Sequence, residues 1–258
     1  MERRRVVVTG LGTLNPLGNS VQEYFANLKA GVSGAAPITR FDPEPYKTKF
    51  ACELKGYNWE DYFDRKEVRK YDLFSQFALV AADQAVKDAG IDGENIDKDR
   101  TGVIWASGIG GLQSMFEDIK GFVENNYSPK FSPFFILKMI ADIAAGHISL
   151  RYGFKGPNFC TVSACASSNH ALIVGADQIR LGRADIIVAG GSEASMNQPG
   201  VGGFNPMQAL STRNDDPNTS SRPLDAVRDG ALCGEGPGGP KLHGYQHAVT
   251  RGAEVFSE

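Results

Sequence analysis

The chain has 258 residues, 41% of them hydrophobic and 22% charged, and its formal net charge is −3 at pH 7. Such a chain can bury a sizeable core, as one large domain or two small ones, and it has no basic field for nucleic acid. No apolar run approaches the ~20 residues of a membrane-spanning helix, and the run 6–8 after the basic start is too short for a secretory signal.

Predicted strands and helices alternate along the chain. Short apolar runs predict strands at 4–9, 102–106, 158–163 and 185–189. Helical spacing predicts helices from Ser20 to about Gly31, from Asp72 to Gly90, from 135 to 152 and from 169 to 181. This alternation predicts an α/β fold with a mostly parallel sheet covered by helices.

Local signals refine these boundaries. Ser20 and Glu23 form a capping box at a helix start, and Asp72 can cap the next helix. The segment 37–66 is irregular and rich in proline, tyrosine and charge. Pro237 and Pro240 each lack the N–H that a strand ladder needs, so the pattern of 231–242 does not favour a central strand.

Cys165 lies where the predicted strand 158–163 leads into the predicted helix 169–181. At a helix N-terminus the unpaired N–H groups and the helix dipole favour a thiolate, which is the nucleophilic form of cysteine. Cys165 is therefore a candidate nucleophile. The local pattern alone allows a buried structural cysteine equally well.

The other three cysteines, Cys52, Cys160 and Cys233, show no spacing typical of a metal site or a redox motif. We interpret them as structural and expect no metal. Four cysteines in a chain of this length do not form a disulfide framework, which favours a reducing compartment, most simply the cytoplasm.

Two glycine-rich turns imitate nucleotide-binding motifs. After the strand 4–9, Gly10 and Gly12 fit a dinucleotide fingerprint, but its third glycine would fall at Asn15, and Pro16 follows. The turn 108–111 is not followed by the Gly-Lys-Ser/Thr of a phosphate loop. A dinucleotide-dependent enzyme is therefore only a third interpretation, and no cofactor is expected.

Five segments in order carry a family resemblance. They read VVTGLG at 7–12, SGIGG at 107–111, GPNFCTVSACASS at 156–168, VAGGSE at 188–193 and ALSTRND at 209–215. Together they resemble the β-ketoacyl-acyl carrier protein synthases of the synthase II type, the condensing enzymes of fatty acid synthesis. The resemblance covers nearly the whole chain to about Asp229.

The resemblance implies a thiolase-like fold, a layered α/β/α/β/α arrangement of two similar halves that is usually a homodimer. Residues 1–258 would supply mainly the first, N-terminal ketosynthase half, with the C-terminal half absent from this chain. The strand 158–163 would then pair across the dimer axis. The partner implied is an acyl carrier protein that carries acyl and malonyl groups.

The resemblance also assigns site residues. Cys165 would be the acyl-accepting nucleophile, and the acyl pocket would include Ile109 as a gate, Phe134 reaching the partner subunit, and Phe204. The pattern alone favours a core role for any single one of these apolar residues. A basic patch for the acidic carrier protein is also implied, although a solvated charged face is the plainer interpretation of its members. Those members are Lys66, Arg69, Lys70, Lys130 and Arg213.

The histidines limit the mechanism. None of the four, His147, His170, His243 and His247, matches a catalytic position of the resembled family, whose two histidines belong to its second half. We therefore expect this chain alone to be incomplete for the full condensation. The alternative, from another class, is a non-catalytic half-synthase that acts as a binding or assembly partner.

Overall fold

The computed structural model describes residues 4–92 and 96–258, and its elements alternate along the chain as predicted. The described strands are β1 (Val6–Thr13), β2 (Ala36–Pro37), β3 (Phe50–Ala51), β4 (Thr101–Ala106), β5 (Asn158–Phe159), β6 (Ile186–Glu193) and β7 (Gly236–Gly244). The described α-helices are α1 (Val21–Lys29), α2 (Arg65–Val68), α3 (Leu73–Asp88), α4 (Leu112–Glu124), α5 (Phe135–Met139), α6 (Ile143–Tyr152), α7 (Ser167–Arg180), α8 (Gln198–Phe204) and α9 (Tyr245–Thr250). Short 3₁₀ turns lie at Trp59–Asp61, Lys98–Arg100, Ala164–Ala166 and Pro217–Thr219.

The main sheet has the strand order β1-β7-β6-β4-β5, and β2 and β3 form a small separate sheet. β4 is parallel to both β5 and β6, whereas β7 is antiparallel to β6 and to β1. The α/β class is as predicted. The sheet is mixed rather than mostly parallel, because β7 enters antiparallel between β1 and β6.

Helices cover both faces of the sheet, and β4 connects the two layers. Every residue of β4 is buried. Val103 and Trp105 join the apolar cluster shared with α3 and α6, while Ile104 and Ala106 join the cluster shared with α7. This alternation follows from the two-residue period of a strand. Burial of each large apolar side chain stabilises the fold by about 1.5–3 kcal/mol.

In the described part of the chain no helix is long and apolar enough to cross a membrane.

Polar caps set the helix starts as the sequence predicts. The Ser20 hydroxyl accepts the Glu23 N–H at 3.2 Å, and the Glu23 carboxylate reaches back to the Asn19 N–H at 2.8 Å, one residue earlier than in an ideal capping box. Asp72 accepts the N–H groups of Phe74 and Ser114, at 3.2 Å and 2.9 Å. This carboxylate therefore joins the start of α3 to the start of α4.

The single helix predicted over 135–152 is wrong in its middle. α5 ends at Met139, and Ile140 is extended with ψ of 138° before α6 begins. The carbonyl of Met139 accepts the N–H of Gly111 at 3.0 Å, so the backbone there serves the turn after β4 instead of continuing a helix. Gly153, with φ of 70°, ends α6 as predicted.

The predicted strand 158–163 is also wrong for its second half. Pairing with β4 stops at Phe159, because beyond it the chain turns toward α7. The hydroxyl of Thr161 donates to the Ser167 carbonyl at 2.9 Å, and the Ser163 N–H donates to the Ser167 hydroxyl at 2.8 Å. The Ser163 N–H, which would otherwise be available to extend the ladder, is thus used in a turn.

β7 overturns the expectation that 231–242 does not form a central strand. It lies between β1 and β6, and its pairing with β6 is interrupted only at Gly239 and Pro240, where Pro240 has no N–H to donate. A Cβ at Gly239 would lie 2.5 Å from the Ala189 carbonyl oxygen, so glycine permits the close approach of the two strands. The glycines that seemed to weaken this strand allow it to pack.

The strand nevertheless brings polar side chains into the core. Lys241 is fully buried, and its ammonium nitrogen has no hydrogen-bond partner within residues 4–92 and 96–258. His243 is also fully buried, with Nδ1 3.4 Å from the Thr9 hydroxyl and Nε2 2.5 Å from Nδ1 of His247. Burial, and then the charge of Arg251, lower the pKa of Lys241 to about 6.

We expect Lys241→Met to stabilise the fold and to change its pH dependence. The pKa of Lys241 is about 6 in the folded state against 10.5 for an ordinary lysine, so between these values the unfolded chain binds one more proton. The free energy of unfolding of the parent should therefore rise with pH across this window, by at most about 1.4 kcal/mol per pH unit. The methionine variant should lack this contribution.

Urea unfolding of both proteins at several pH values inside the window measures the effect. Because every other titrating group is common to the two proteins, the difference between their unfolding free energies should shrink as the pH rises. Parallel curves would mean that Lys241 remains protonated in the folded state.

Candidate active site

The candidate site forms where two parallel central strands end. β4 and β6 pair in register from Thr101 with Ile186 to Ala106 with Gly191, so their carboxyl ends meet at one edge of the sheet. The turn 107–111 follows β4, and Glu193 is the last residue of β6. Ligands of α/β sheets bind beyond the carboxyl ends of the strands, so this edge is the place to look for chemistry.

A tight turn presents Cys165 at this edge. Ala164 has a left-handed φ of 50°, which costs a non-glycine residue ~1–2 kcal/mol. The Ser167 hydroxyl holds the turn, because it donates to the Ala164 carbonyl at 2.6 Å and accepts the Ser163 N–H at 2.8 Å. Cys165 is consequently exposed in the 3₁₀ turn that leads directly into α7.

A pocket of about 390 Å³ adjoins Cys165. Its wall combines the ends of β4 and β6 with the Cys165 turn, Phe204 of α8 and Cys233. Ile109 and Phe204, two of the three predicted acyl-pocket residues, line it beside Cys165, and Phe134 lies outside it at the start of α5. A separate, larger cleft of about 600 Å³ lies beside β1 and contains Cys52 but none of the predicted site residues.

Glu193 contributes a partly buried carboxylate to the pocket wall. It accepts the N–H groups of Gly108 and Ile109, at 2.7 Å and 3.1 Å, and the Ser107 hydroxyl at 3.3 Å. Burial raises the pKa of Glu193, and these donors partly offset the rise because they favour the ionised form. Glu193 belongs to the motif VAGGSE at 188–193, but the motif does not predict this role.

The four cysteines differ in environment. Cys165 is exposed, whereas the other three are partly buried. Burial raises the pKa of the Cys52 and Cys160 thiols, and it raises that of Cys233 to about 11. The three thiols interpreted as structural are thus less accessible than Cys165, and their raised pKa values make them harder to ionise than an ordinary cysteine thiol.

No histidine of the described residues lines the Cys165 pocket. His170 is bound through Nδ1 to the Ser163 hydroxyl at 2.6 Å, so it supports the turn and not the sulfur. His147 packs against the Tyr71 ring at 4.5 Å, and burial lowers its pKa to about 4. His243 lies in β7 and His247 in α9, where their rings contact each other as described above. That none of the four histidines is catalytic therefore stays a prediction from the sequence.

The predicted basic patch lies on three separate segments. Lys66 lies in α2, closely followed by Arg69 and Lys70, and all three are exposed. Lys130, between α4 and α5, is also exposed, and Arg213 is half-buried.

Ion pairs fasten α2 to the core. Arg151 of α6 binds Glu67 of α2 at 2.6 Å and Asp83 of α3 at 2.5 Å. The Tyr71 hydroxyl also donates to Glu67, at 3.0 Å. Because Arg151 is mostly buried, this network holds α2 more firmly than a surface ion pair would.

Comparison with known proteins identifies the family. The family model described as the β-ketoacyl synthase N-terminal domain matches residues 3–248, and the chain therefore belongs to the β-ketoacyl synthase family, as its motifs predict. It is 41% identical over 258 residues to a 3-oxoacyl-[acyl-carrier-protein] synthase 2 of Vibrio cholerae, and 42% identical over 257 residues to one of Staphylococcus aureus. These matches cover the whole chain but only 62% of each relative.

Solved structures agree with this assignment. A β-ketoacyl synthase from Burkholderia phymatum matches with a TM-score of 0.88 and 32% identity, over 98% of this chain and 62% of that one. A type II polyketide ketosynthase, solved with its acyl carrier protein and bound to a hexaketide, matches with a TM-score of 0.86 and 31% identity, over 98% and 61%. The thiolase-like α/β fold, of which this chain supplies the first part, is confirmed.

We expect Cys165 to be the first of the four cysteines to be alkylated near neutral pH. It is exposed, whereas burial protects the other three and raises their pKa values. Brief exposure of the folded protein to iodoacetamide, followed by peptide mapping, measures the order of labelling. The unfolded protein is the control, in which all four should react at similar rates, and earlier labelling of Cys52 or Cys233 in the folded protein would contradict the assignment.

Proposed function

We propose that this chain carries the acyl-accepting site of a β-ketoacyl-acyl carrier protein synthase that acts in fatty acid elongation. The observation that carries the proposal is the exposed Cys165, at the start of α7 and beside a pocket lined by Ile109 and Phe204. Family membership supports the reaction class, since the relatives named above are synthases of this kind.

In the first step, the Cys165 thiolate attacks the thioester carbonyl of an acyl group on its carrier protein. A sulfur–carbon bond forms to Cys165, the sulfur–carbon bond to the carrier breaks, and the carrier leaves as its thiolate, which then takes a proton from water. The backbone N–H of Cys165 is suited to donate to the oxyanion of the tetrahedral intermediate. No cofactor takes part in this transfer.

In the second step, a malonyl group on the carrier protein loses carbon dioxide, and the resulting carbanion attacks the acyl carbonyl on Cys165. The products are a β-ketoacyl thioester and the free Cys165 thiolate. In the resembled family two histidines stabilise this carbanion, and none of the four histidines here matches them. We therefore assign only the first step to the residues of this chain.

The acyl chain would lie against Ile109 and Phe204, which already share the pocket with Cys165. Phe134 lies outside the pocket of its own chain, and the resemblance implies that it would add to the pocket of a partner subunit. The carrier protein would dock on Lys66, Arg69, Lys70, Lys130 and Arg213, whose positive charges attract an acidic partner. One structural neighbour is a ketosynthase in complex with its carrier protein, which supports this partner class.

We further propose that the protein forms a homodimer through β5. This strand is an edge of the described sheet. Phe159 within it is 36% exposed, and Val162 in the turn that follows it is 61% exposed. An unpaired edge with apolar side chains is a template for pairing with a second copy. Sedimentation should therefore show a dimer that Phe159→Lys and Val162→Lys weaken, and a stable parent monomer would contradict the proposal.

The rival function is a non-catalytic binding or assembly partner of similar fold. Acylation at Cys165 discriminates between the two, because a binding partner has no need of a reactive thiol. For the enzyme we infer the cytoplasm as the site of action, since Cys165 must remain a free thiol and such a compartment keeps thiols reduced.

We expect the purified chain to accept an acyl group on Cys165 and to decarboxylate malonyl-acyl carrier protein far more slowly than its relatives do. Groups that act by acid–base or hydrogen-bond catalysis contribute ~10²–10⁴-fold each, and the described pocket has no histidine for the second step. Intact-protein mass spectrometry measures the acyl-enzyme, and carbon dioxide release measures decarboxylation. Cys165→Ala should abolish acylation, while Cys52→Ala is the matched control that should retain it.

A second comparison separates carrier docking from chemistry. Charge reversal by Lys66→Glu with Lys70→Glu should slow acylation from the carrier protein but not from a small acyl thioester, since only the carrier uses the basic patch. Lys87→Glu, on the exposed last turn of α3, is the control. Equal slowing with both donors would place these lysines outside the docking surface, and an unacylated parent would remove the enzymatic proposal.

A further inference from the structure

One carboxylate accepts several hydrogen bonds from the turn that carries Ile109. Glu193, at the end of β6, accepts the N–H groups of Gly108 and Ile109 and the hydroxyl of Ser107. Ser107 in turn accepts the N–H of Gly110 at 2.9 Å. Three successive residues of the turn are thus bound to one side chain, and the fourth is bound through Ser107.

The turn has little freedom to adopt another conformation while these bonds exist. A Cβ at Gly108 would lie 2.9 Å from the Glu193 carboxylate, so the backbone approaches the acid as closely as glycine allows. Gly110 has a left-handed φ of 82°, and the N–H of Gly111 is bound to the Met139 carbonyl at 3.0 Å. The turn is therefore held by Glu193 on one side and by the break between α5 and α6 on the other.

Ile109 itself has few constraints of its own. Its side chain is 44% exposed, and it lines the Cys165 pocket from the middle of the turn. The backbone, fixed by Glu193, therefore decides where this side chain stands. Hydrogen bonds to a charged group are stronger than neutral ones, which suits the carboxylate to this task.

We propose that Glu193 is a positioning residue that fixes the turn 107–110, and that it thereby sets which lengths of acyl chain reach Cys165. The inference rests on the proposed acyl transfer at Cys165 and adds the group that determines its specificity. Glu193 acts through Ile109 and takes no part in bond making.

The test compares the acylation of Cys165 by short, medium and long saturated acyl thioesters in the parent and in two variants. Glu193→Ala removes all three acceptor bonds. The ratio between the acylation rates of favoured and disfavoured chain lengths should therefore fall by about tenfold, which is the low end of the discrimination that a pocket achieves for one methylene group. Glu193→Gln keeps one amide oxygen that can accept the Gly108 and Ile109 N–H groups, which share Oε2 in the parent, and it should restore part of the discrimination. Alkylation of Cys165 by iodoacetamide should remain within a few-fold of the parent in both variants.

Glu53 provides a matched control. It is a buried carboxylate that accepts the N–H and the hydroxyl of Thr39, at 3.2 Å and 2.7 Å, and it does not line the Cys165 pocket. Glu53→Ala should therefore lower stability without altering the chain-length profile. Amide hydrogen exchange is the second readout, and at Gly108 and Ile109 it should accelerate in Glu193→Ala but not in Glu53→Ala.

The outcomes separate the two proposals. If the parent is not acylated at Cys165, the proposed function fails, and the exchange measurement still decides whether Glu193 fixes the turn. If the parent is acylated and Glu193→Ala keeps its length profile, the positioning role is overturned. The positioning role is also overturned if Glu193→Ala and Glu53→Ala change the length profile equally, because a general loosening of the fold would then explain both results.

Discussion

The buried pairing of β4 with β6 is the constraint on which the site depends. Both strands are enclosed by helices on their two faces, and their parallel register brings the turn 107–111 and Glu193 to one edge. Because β4 also pairs with β5, the chain that leaves β5 reaches the same edge with the Cys165 turn. Three segments far apart in sequence therefore meet around one pocket without a dedicated binding domain.

Local signals made much of this arrangement predictable. The Ser20 and Asp72 caps, the stop at Gly153 and the strands at 102–106 and 185–189 depend on residues near in sequence, and they lie where predicted. The family motifs added Cys165, Ile109 and Phe204 to one site. These features could be predicted because each depends on a short segment of sequence or on several family motifs that occur in order.

Other features depend on contacts between distant residues, and the sequence did not reveal them. β7 lies between β1 and β6 although its composition opposes a strand, and Gly239 permits its close approach to Ala189. The helix break at Ile140 follows from a bond between Met139 and Gly111, and the short β5 follows from the demands of the Ser167 turn. The role of Glu193 required knowledge that the end of β6 lies beside the turn after β4.

The left-handed backbone at Ala164 has a consequence for the variation that this position tolerates. A glycine there would adopt the same φ without steric cost, whereas a β-branched residue would crowd the backbone and favour an extended conformation. Natural variants should therefore be confined to the smallest side chains immediately before Cys165. The backbone angle required at position 164, and not only the chemistry of the sulfur, would then limit which substitutions this segment accepts during evolution.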